Sequence, residues 1–533
     1  MKNMALILIA CALIGPAAEA QVDTAWARVW DSDSYGQNIA VDDAGNVYVS
    51  GSPRLGGGSI APAYNTDGQL LWTRYFGGPD SYGGSAYGMH LNRRGDISIL
   101  LGGYCTVRYN ALGDSLWSRI YRPMGEYATP AAIVSDDSGN VYVTGWCVYT
   151  NCWATVKYDR DGMLIWERIF DGYPGYYPLR NYDIALDRQG NVIVGGLTQT
   201  QGPDSVVGIT MVKYNSAGDL LWISRHDSSD VFNHLYMAID DDDNIYVSGQ
   251  WPVSYPFRFI RQPLLIKFQP DGGTAWARIY GDTLARSTDP PVIAADSSGG
   301  VCVCGVDKLG PDSLDRYRFK YYVTKFTPDG DTAWGRCFDN TGYLFDYPVD
   351  IKVGRSGAIY VGGYSWRPLM NPDITIIKCS SDGDLIWSST FAGDTLSSEY
   401  LNDLALDRSE NIYITGKMFI EGIGEKMITI KFVQSPTEAN DGSFPLPEGV
   451  SRTAYPNPFN AQTTISYSLS QTGAVKIDIF NILGQKVTVL DEGVHATGEH
   501  KVVWEAEGLP SGVYFARLSV GGETETAKMV LLK

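Results

Sequence analysis

Tryptophan recurs along this chain at a nearly fixed interval, at Trp26, Trp72, Trp117, Trp166, Trp222, Trp276, Trp334 and Trp387. Self-similarity with a period of about 40–50 residues is the mark of a repeat architecture, so the repeat is read before any single motif. The stretch 181–222 shows one complete unit. A short apolar strand ends in Asp187, and the tight turn Arg188-Gln189-Gly190-Asn191 follows. The next strand is Val192-Ile193-Val194-Gly195-Gly196, left by a loop of variable length. A third strand, Ile209 to Tyr214, carries Lys213, and the turn 215–219 leads to a fourth strand holding Leu221 and Trp222. Four strands in about 50 residues make one propeller blade.

The turn residues have a physical reason to recur. An aspartate side chain accepts hydrogen bonds from the backbone two residues on, and glycine supplies the positive φ of a tight reversal. Asp-x-x-Gly-Asn occurs at Asp42–Asn46, Asp136–Asn140 and Asp187–Asn191. Looser copies lie at Asn92–Asp96, Asp240–Asn244, Asp296–Gly300, Gly354–Ala358 and Asp407–Asn411. A cation followed by an aromatic marks the third strand, as in Lys157-Tyr158, Lys213-Tyr214, Lys267-Phe268, Lys325-Phe326 and Lys431-Phe432; Arg108-Tyr109 and Lys378-Cys379 are variants.

The phase of the repeat is as informative as its count. It opens at Trp26 with a fourth strand and ends near Phe432 with a third. The N-terminal strand Thr24 to Trp30 therefore completes the last blade, which removes the exposed edges an open array would leave. The expectation is an all-β chain, with an eight-bladed β-propeller over residues 21–433. The units resemble the bacterial propeller repeat built on Asp-x-x-Gly-Asn-Val-Tyr-Val-x-Gly, a family known mainly as a scaffold, so the resemblance implies a fold and little chemistry.

Both ends differ from the repeat. Lys2, the apolar run Met4 to Ile14 and Ala18-Glu19-Ala20 read as a secretory signal over residues 1–20. Leu8-Ile9-Ala10-Cys11 offers a lipobox as the rival reading. No other segment is apolar for long enough to cross a membrane as a helix, so the chain is not expected to be an integral membrane protein. Residues 434–449, rich in Pro, Ser, Gly and acidic side chains, read as a linker. Residues 450–533 alternate polar and apolar positions, as in Val475-Lys476-Ile477-Asp478-Ile479-Phe480, and predict a small Ig-like β-sandwich.

That tail carries the sequence Tyr455-Pro456-Asn457-Pro458-Phe459-Asn460, then Gly484 after Ile479-Phe480-Asn481-Ile482-Leu483. Gly498-Glu499-His500 follows, with Trp504, and then Gly512-Val513-Tyr514. It closes on Lys528-Met529-Val530-Leu531-Leu532-Lys533. In this order these residues resemble the type A C-terminal sorting domain of the type IX secretion system. The resemblance implies partnership with that machinery, and a protein secreted from, or held at the surface of, a Gram-negative bacterium.

Composition bounds the partners. Sixty acidic residues against 42 basic ones give a net charge of −18, the wrong sign for a nucleic-acid surface. Without Cys11 seven cysteines remain, too sparse for a disulfide scaffold; Cys147 and Cys152 are close enough in sequence to close a short loop.

Sequence supplies no catalytic constellation. The five histidines have no zinc-ligand spacing, and no nucleophile elbow, phosphate loop or dinucleotide fingerprint occurs. No cofactor is expected. Asp240-Asp241-Asp242-Asp243-Asn244 suggests calcium, against the simpler reading that it fills an ordinary repeat turn. Gly383-Asp384-Leu385-Ile386-Trp387 resembles the Trp-docking motif of quinoprotein dehydrogenases, yet those enzymes also need a cofactor pocket on the axis, commonly with a calcium ion and adjacent cysteines, and no adjacent cysteine pair occurs here. An exported enzyme, either a quinoprotein-like oxidoreductase or a polysaccharide-cleaving hydrolase, is thus the alternative rather than the first expectation. The first expectation is non-catalytic binding of an extracellular protein or polysaccharide. In a four-stranded blade the two short turns share one face, and the long second-to-third loops and inter-blade connections share the other. The candidate ligand-binding residues lie on that long-loop face: Tyr173, Tyr176, Tyr177, Trp251, Tyr255, Phe257, Arg258, Tyr317, Tyr343 and Trp366.

Overall fold

The computed structural model describes residues 22–531 apart from 54–57, 77–83, 126–127, 173, 203–204, 229–234, 256–257, 281–290, 312–316, 339–344, 367–370, 393–396, 421–422, 435–451, 456–461, 470–472, 482–485, 507, 510–511 and 521–522. The signal segment 1–20 lies outside the described residues, as does nearly all of the linker 434–449. Gln434, assigned to the linker from sequence, is instead the last residue of the strand Gly424–Gln434. The chain divides into two compact units, Met1–Thr437 and Glu438–Lys533. Among the described residues there is no α-helix, and no helix long and apolar enough to cross a membrane.

The first unit is a β-propeller of antiparallel meanders, in which each strand pairs with its neighbour in sequence. Four of its sheets have four strands each; the other two have seven and eight. The eight-stranded sheet exceeds four because Phe319 and Phe345 form a parallel bridge between successive meanders. The seven-stranded sheet exceeds four because one long strand, Val22–Val41, serves two partners. Its first part runs antiparallel to Gly424–Gln434, with Val22 opposite Gln434 and Val29 opposite Ile428. Its second part pairs with Val47–Pro53, Ser34 opposite Pro53 and Val41 opposite Val47. The chain's first strand thus completes the sheet of its last repeat, as the phase of the tryptophans predicts. The first strands of the meanders also touch in succession around the unit, and Ser397–Leu406, the last of them, contacts Val22–Val41.

The repeated residues hold neighbouring meanders together. Each recurring tryptophan from Trp26 to Trp334 lies against the second turn of the next meander, where a glycine has positive φ. A Cβ on Gly113 would sit 2.6 Å from the Trp72 ring; one on Gly162 would sit 2.7 Å from Trp117. The indole N–H closes the contact: Trp72 donates to the Ala111 carbonyl at 2.9 Å and Trp117 to that of Arg160 at 2.9 Å. Two residues on, an arginine such as Arg74 stacks over the same indole, 5.6 Å from its centroid. An aromatic side chain buries ~150–250 Å², worth about 4–6 kcal/mol before the entropy of ordering the chain is subtracted. The tryptophans are therefore structural, the reading preferred over cofactor docking.

The first turns close as their composition requires. Asp42 accepts the N–H groups of Ala44 and Asn46 on one oxygen, and the Asn46 amide and Tyr48 hydroxyl on the other. The acidic run at Asp240 is a variant of this turn. Asp240 accepts from the N–H groups of Asp242 and Asn244 and from Tyr246, Asp243 accepts the Arg188 N–H, and Asp241 pairs with the Arg188 guanidinium at 2.9 Å. Asp241 and Asp243 thus both turn to Arg188 while Asp240 closes its own turn, and no group of three or more metal-ligating side chains converges among the described residues. Cys147 and Cys152 are buried and directly opposite each other in the Val141–Cys147/Cys152–Tyr158 pair.

The second unit has a three-stranded and a four-stranded sheet. One core draws on both, with Ile465 and Trp504 from the first and Ile477, Ile479, Tyr514, Leu518 and Met529 from the second.

Candidate functional site

The short turns share one face of the propeller, so the opposite strand ends carry its long connections. On that side, between the meanders that begin with Phe345–Val353 and Ser397–Leu406, aromatic rings gather. Tyr347 and Tyr364 are directly opposed across their strands and stack at 5.3 Å, 23° from parallel. Phe345 and Trp366 form the next pair outward. Strand alternation puts Tyr364 and Trp366 on one side and buried Ser365 on the other. From the neighbouring meander Tyr400 meets both, edge-on to Tyr364 at 5.1 Å and to Trp366 at 6.4 Å. The Lys417 ammonium lies 4.9 Å from the Tyr400 centroid and 3.5 Å from the Glu425 carboxylate. Tyr347 is exposed and the other three rings are half-buried. The result is a shelf of ring faces and phenol edges, with one ion pair at its margin. A buried pair, Lys320–Asp346 at 3.3 Å, braces it from below.

Of the residues expected from sequence, Trp366 belongs to this shelf. Tyr176 does not: it is half-buried under the Arg225 guanidinium, 4.2 Å from its ring centroid, and Arg225 is tied to Thr198 and the Val206 carbonyl. The Tyr177 hydroxyl donates to Gln199 at 2.6 Å. Both act within their own meander. Trp251, Tyr255 and Arg258 are strand residues rather than loop residues, because the ladder of Ile245–Tyr255 with Arg258–Phe268 continues to Tyr255 opposite Arg258. Tyr317 likewise begins a strand, opposite Pro311. Tyr173, Phe257 and Tyr343 lie outside the described residues.

A second set of residues, recurrent first-strand aspartates, was missed in the sequence. Asp183, Asp350 and Asp403 each stand four residues before a first-turn residue, on the first strand of a meander. Each accepts the N–H of its own successor and one from the following meander. Asp403 takes Leu404 at 2.8 Å and Ile39 at 2.8 Å; Asp350 takes Ile351 at 2.8 Å and Leu404 at 3.3 Å; Asp183 takes Ile184 at 2.8 Å and Met237 at 3.2 Å. Lys352 binds both oxygens of Asp350, at 2.9 and 2.7 Å. Burial, then the neighbouring charge of Asp350, pushes the Asp403 carboxyl up to about 7 against the opposing pull of Lys352. Burial also raises Asp183, to about 6. Burial disfavours the Lys352 ammonium, but Asp350 and Asp403 outweigh it and hold its pKa above the ordinary lysine value. The signal for this set was legible: an aspartate at the same offset in three repeats.

In the tail, Tyr514 is buried edge-on to Trp504 at 5.2 Å, Gly512 opens the strand Gly512–Val520, and Lys528 pairs with Phe515. Tyr455 ends the strand Arg452–Tyr455, while Pro456, Asn457, Pro458, Phe459, Asn460 and Gly484 lie outside the described residues.

Comparison with known proteins bears on both units. Residues 453–532 match the secretion system C-terminal sorting domain, and residues 29–52 match the beta-propeller repeat. The chain is thus a β-propeller repeat protein that ends in a type IX secretion sorting domain. That tail makes it a secreted or cell-surface protein of a Gram-negative bacterium. An uncharacterized WD repeat-containing protein of Acanthamoeba polyphaga mimivirus is 23% identical over 253 residues; the match takes in 35% of this chain and 18% of the relative's length. Among solved structures, the C-terminal WD40 domain of Sif2 aligns with 75% of this chain and 97% of its own, at 10% identity and a TM-score of 0.47. A fungal alcohol oxidase in complex with copper covers 95% of this chain and 98% of its own, at 12% identity and a TM-score of 0.39. A polysaccharide lyase, an ulvan lyase, covers 76% and 96%, at 10% identity and a TM-score of 0.39. Likenesses this remote leave activity and ligand to the residues of this chain.

Proposed function

We propose that this protein is an exported, non-catalytic scaffold that binds a polysaccharide through the long-loop face of an eight-bladed ring. The count of eight is supported by the eight first-turn motifs. It is supported also by the way Val22–Val41 divides between two meanders. In the same reading the tail is an Ig-like sandwich that engages the type IX machinery and is dispensable for binding.

The observation that carries the reading is the shelf of Tyr347, Tyr364, Trp366 and Tyr400 with Lys417 and Glu425 at its edge. Sugar rings present apolar C–H faces that lie on aromatic planes, and their hydroxyls find donors and acceptors in phenol, ammonium and carboxylate groups. Strands rather than loops hold these rings, so little ordering entropy is spent on binding. The test is a glycan array probed with the recombinant protein, followed by titration of any hit. Trp366→Ala and Tyr400→Ala should each weaken binding at least tenfold while leaving the thermal midpoint within a few degrees. Equal binding by both variants, or recognition of protein partners alone, would discard the polysaccharide reading.

The Asp350–Lys352–Asp403 cluster favours a second reading, an exported enzyme. A carboxyl that titrates near 7 beside a second carboxylate and an ammonium is suited to proton transfer. Against it, both oxygens of each aspartate already accept backbone N–H groups or the lysine. Turnover of an array hit that disappears in Asp403→Asn would favour the enzyme over the scaffold.

A further inference from the structure

On the short-turn face the repeat that carries Arg108 departs from four of its siblings, and a pocket lies beside the departure. In four meanders the third-strand lysine crosses to the next meander and donates to the carbonyl that also takes the docking tryptophan. Lys157 and Trp166 share Ser216, Lys213 and Trp222 share Pro270, Lys267 and Trp276 share Pro328, and Lys431 and Trp26 share Thr66. Where Arg108 replaces the lysine, the pattern breaks. Trp117 still donates to the Arg160 carbonyl at 2.9 Å. The Arg108 guanidinium turns elsewhere, to the Gly139 carbonyl and to Asp96, the latter at 2.7 Å. Beside it lies a pocket of about 330 Å³, lined by Arg94, Asp96, Arg108, Leu116, Trp117, Arg160 and Asp161.

The charges in this pocket favour an anion. Asp96 is committed to Arg108, whose side chain is almost fully buried. Asp161 meets Arg160 only at 3.7 Å, and both are exposed, so that pair contributes little. Among the described residues Arg94 has no ion-pair partner, and the buried Arg108 Nε has no acceptor. A buried donor left without an acceptor costs about 1–3 kcal/mol, so a bound group that supplied one, directly or through water, would recover that loss. Two guanidiniums that can reorient, above a third that is fixed, suit the planar or tetrahedral oxygens of an oxyanion. Leu116, 46% exposed, offers an apolar wall beside them.

We infer that the recess between Arg94, Arg108 and Arg160 is a binding site for a small oxyanion-bearing ligand, a carboxylate, sulfate or phosphate carried on a compact body. The site is independent of the long-loop shelf and lies on the opposite face.

Isothermal titration calorimetry on the full chain tests this with glucuronate, sodium sulfate and sodium phosphate, and with glucose as the neutral control. At least one anion should bind at millimolar concentration or below, and glucose should not. Arg94→Gln and Arg160→Gln, both at exposed positions, should each weaken binding about tenfold. The sharpest variant is Arg108→Lys, which installs the arrangement of those four repeats. Its amine should cross to the Arg160 carbonyl, fill the recess and abolish binding, with the thermal midpoint preserved or raised. The inference is overturned if no anion binds, if glucose binds equally well, or if Arg108→Lys and Arg94→Gln both bind as the parent does.

Discussion

Gly354 opens its turn where every sibling repeat has aspartate or asparagine, and the missing carboxylate comes from the next meander. Glu410 accepts the Ser356 N–H at 2.6 Å, the Ser356 hydroxyl at 2.8 Å and the Tyr360 hydroxyl at 2.7 Å. The last of these is the bond that Tyr48 and Tyr413 give to their own turn aspartates. Glu410 itself stands in the glycine position of its turn, at φ +59°, so the substitution carries a backbone cost there. The exchange also fixes which single changes are tolerated, since a Cβ on Gly354 would lie 2.6 Å from the Glu410 carboxylate carbon. We predict that Glu410→Gly costs about 1–3 kcal/mol by leaving Ser356 and Tyr360 unpaired. Gly354→Asp alone should destabilise by a similar amount through the clash. The double variant should return to within about 1 kcal/mol of the parent, an interaction a double-mutant cycle in denaturant would read directly. Simple addition of the two losses would refute the exchange. In sequence Gly354 looks like a degenerate copy. Its compensation is illegible there because the partner lies 56 residues on and is recognisable only once the two turns are adjacent.

At the scale of whole strands, closure rests on Val22–Val41. Its first part supplies the fourth strand of the last meander, and Trp26 docks on the Gly68 turn with its indole N–H bonded to Thr66 at 3.0 Å. Deletion of Thr24 to Trp30 removes that ladder and that docking contact together. It should lower the denaturant midpoint of the propeller unit; an unchanged midpoint would refute closure. This strand was legible because the tryptophan period fixes its phase. The extended hairpins were not. Trp251, Tyr255 and Arg258 read in sequence as part of a long connection, yet the ladder runs on through Pro252 and Pro263 to Tyr255 opposite Arg258, because an edge of the hairpin tolerates proline. The shelf was legible in part for a related reason. Trp366 stands out beside a variable connection, whereas Tyr347, Tyr364 and Tyr400 come from three strands whose shared face is set by register.

For the molecule as a whole, the linked aspartates make stability depend on pH in an unusual direction. Most buried carboxylates that accept hydrogen bonds have depressed pKa values and stabilise a fold as pH rises. Glu410 and Asp296 are of that kind: burial opposes ionisation, but their hydrogen bonds outweigh it, so their contribution is lost as pH falls below about 4. Asp403 and Asp183 run the other way. An unfolded aspartate titrates near 3.9, while these two are held at about 7 and about 6. Between the two values the folded chain binds more protons than the unfolded one, so stability falls as pH rises from about 4 to about 7 and is level above. For Asp403, which shares its surroundings with Asp350 and Lys352 and accepts the Ile39 and Leu404 N–H groups, the loss is on the order of 2 kcal/mol, the raw shift being discounted for that coupling. The melting temperature should therefore be higher at pH 5 than at pH 8, and the net charge of −18, which disfavours a compact chain at the higher pH, adds to the difference. Global repulsion and the local carboxyl act in the same direction, and Asp403→Asn separates them. The amide keeps the shape of the protonated carboxyl and still accepts the Leu404 N–H, at the loss of the bond from Ile39. It should lower stability at pH 5 and narrow the difference between pH 5 and pH 8 by half or more. If the variant keeps the full difference, the dependence belongs to net charge, and the first-strand aspartates serve as linkers between meanders without a titration of their own.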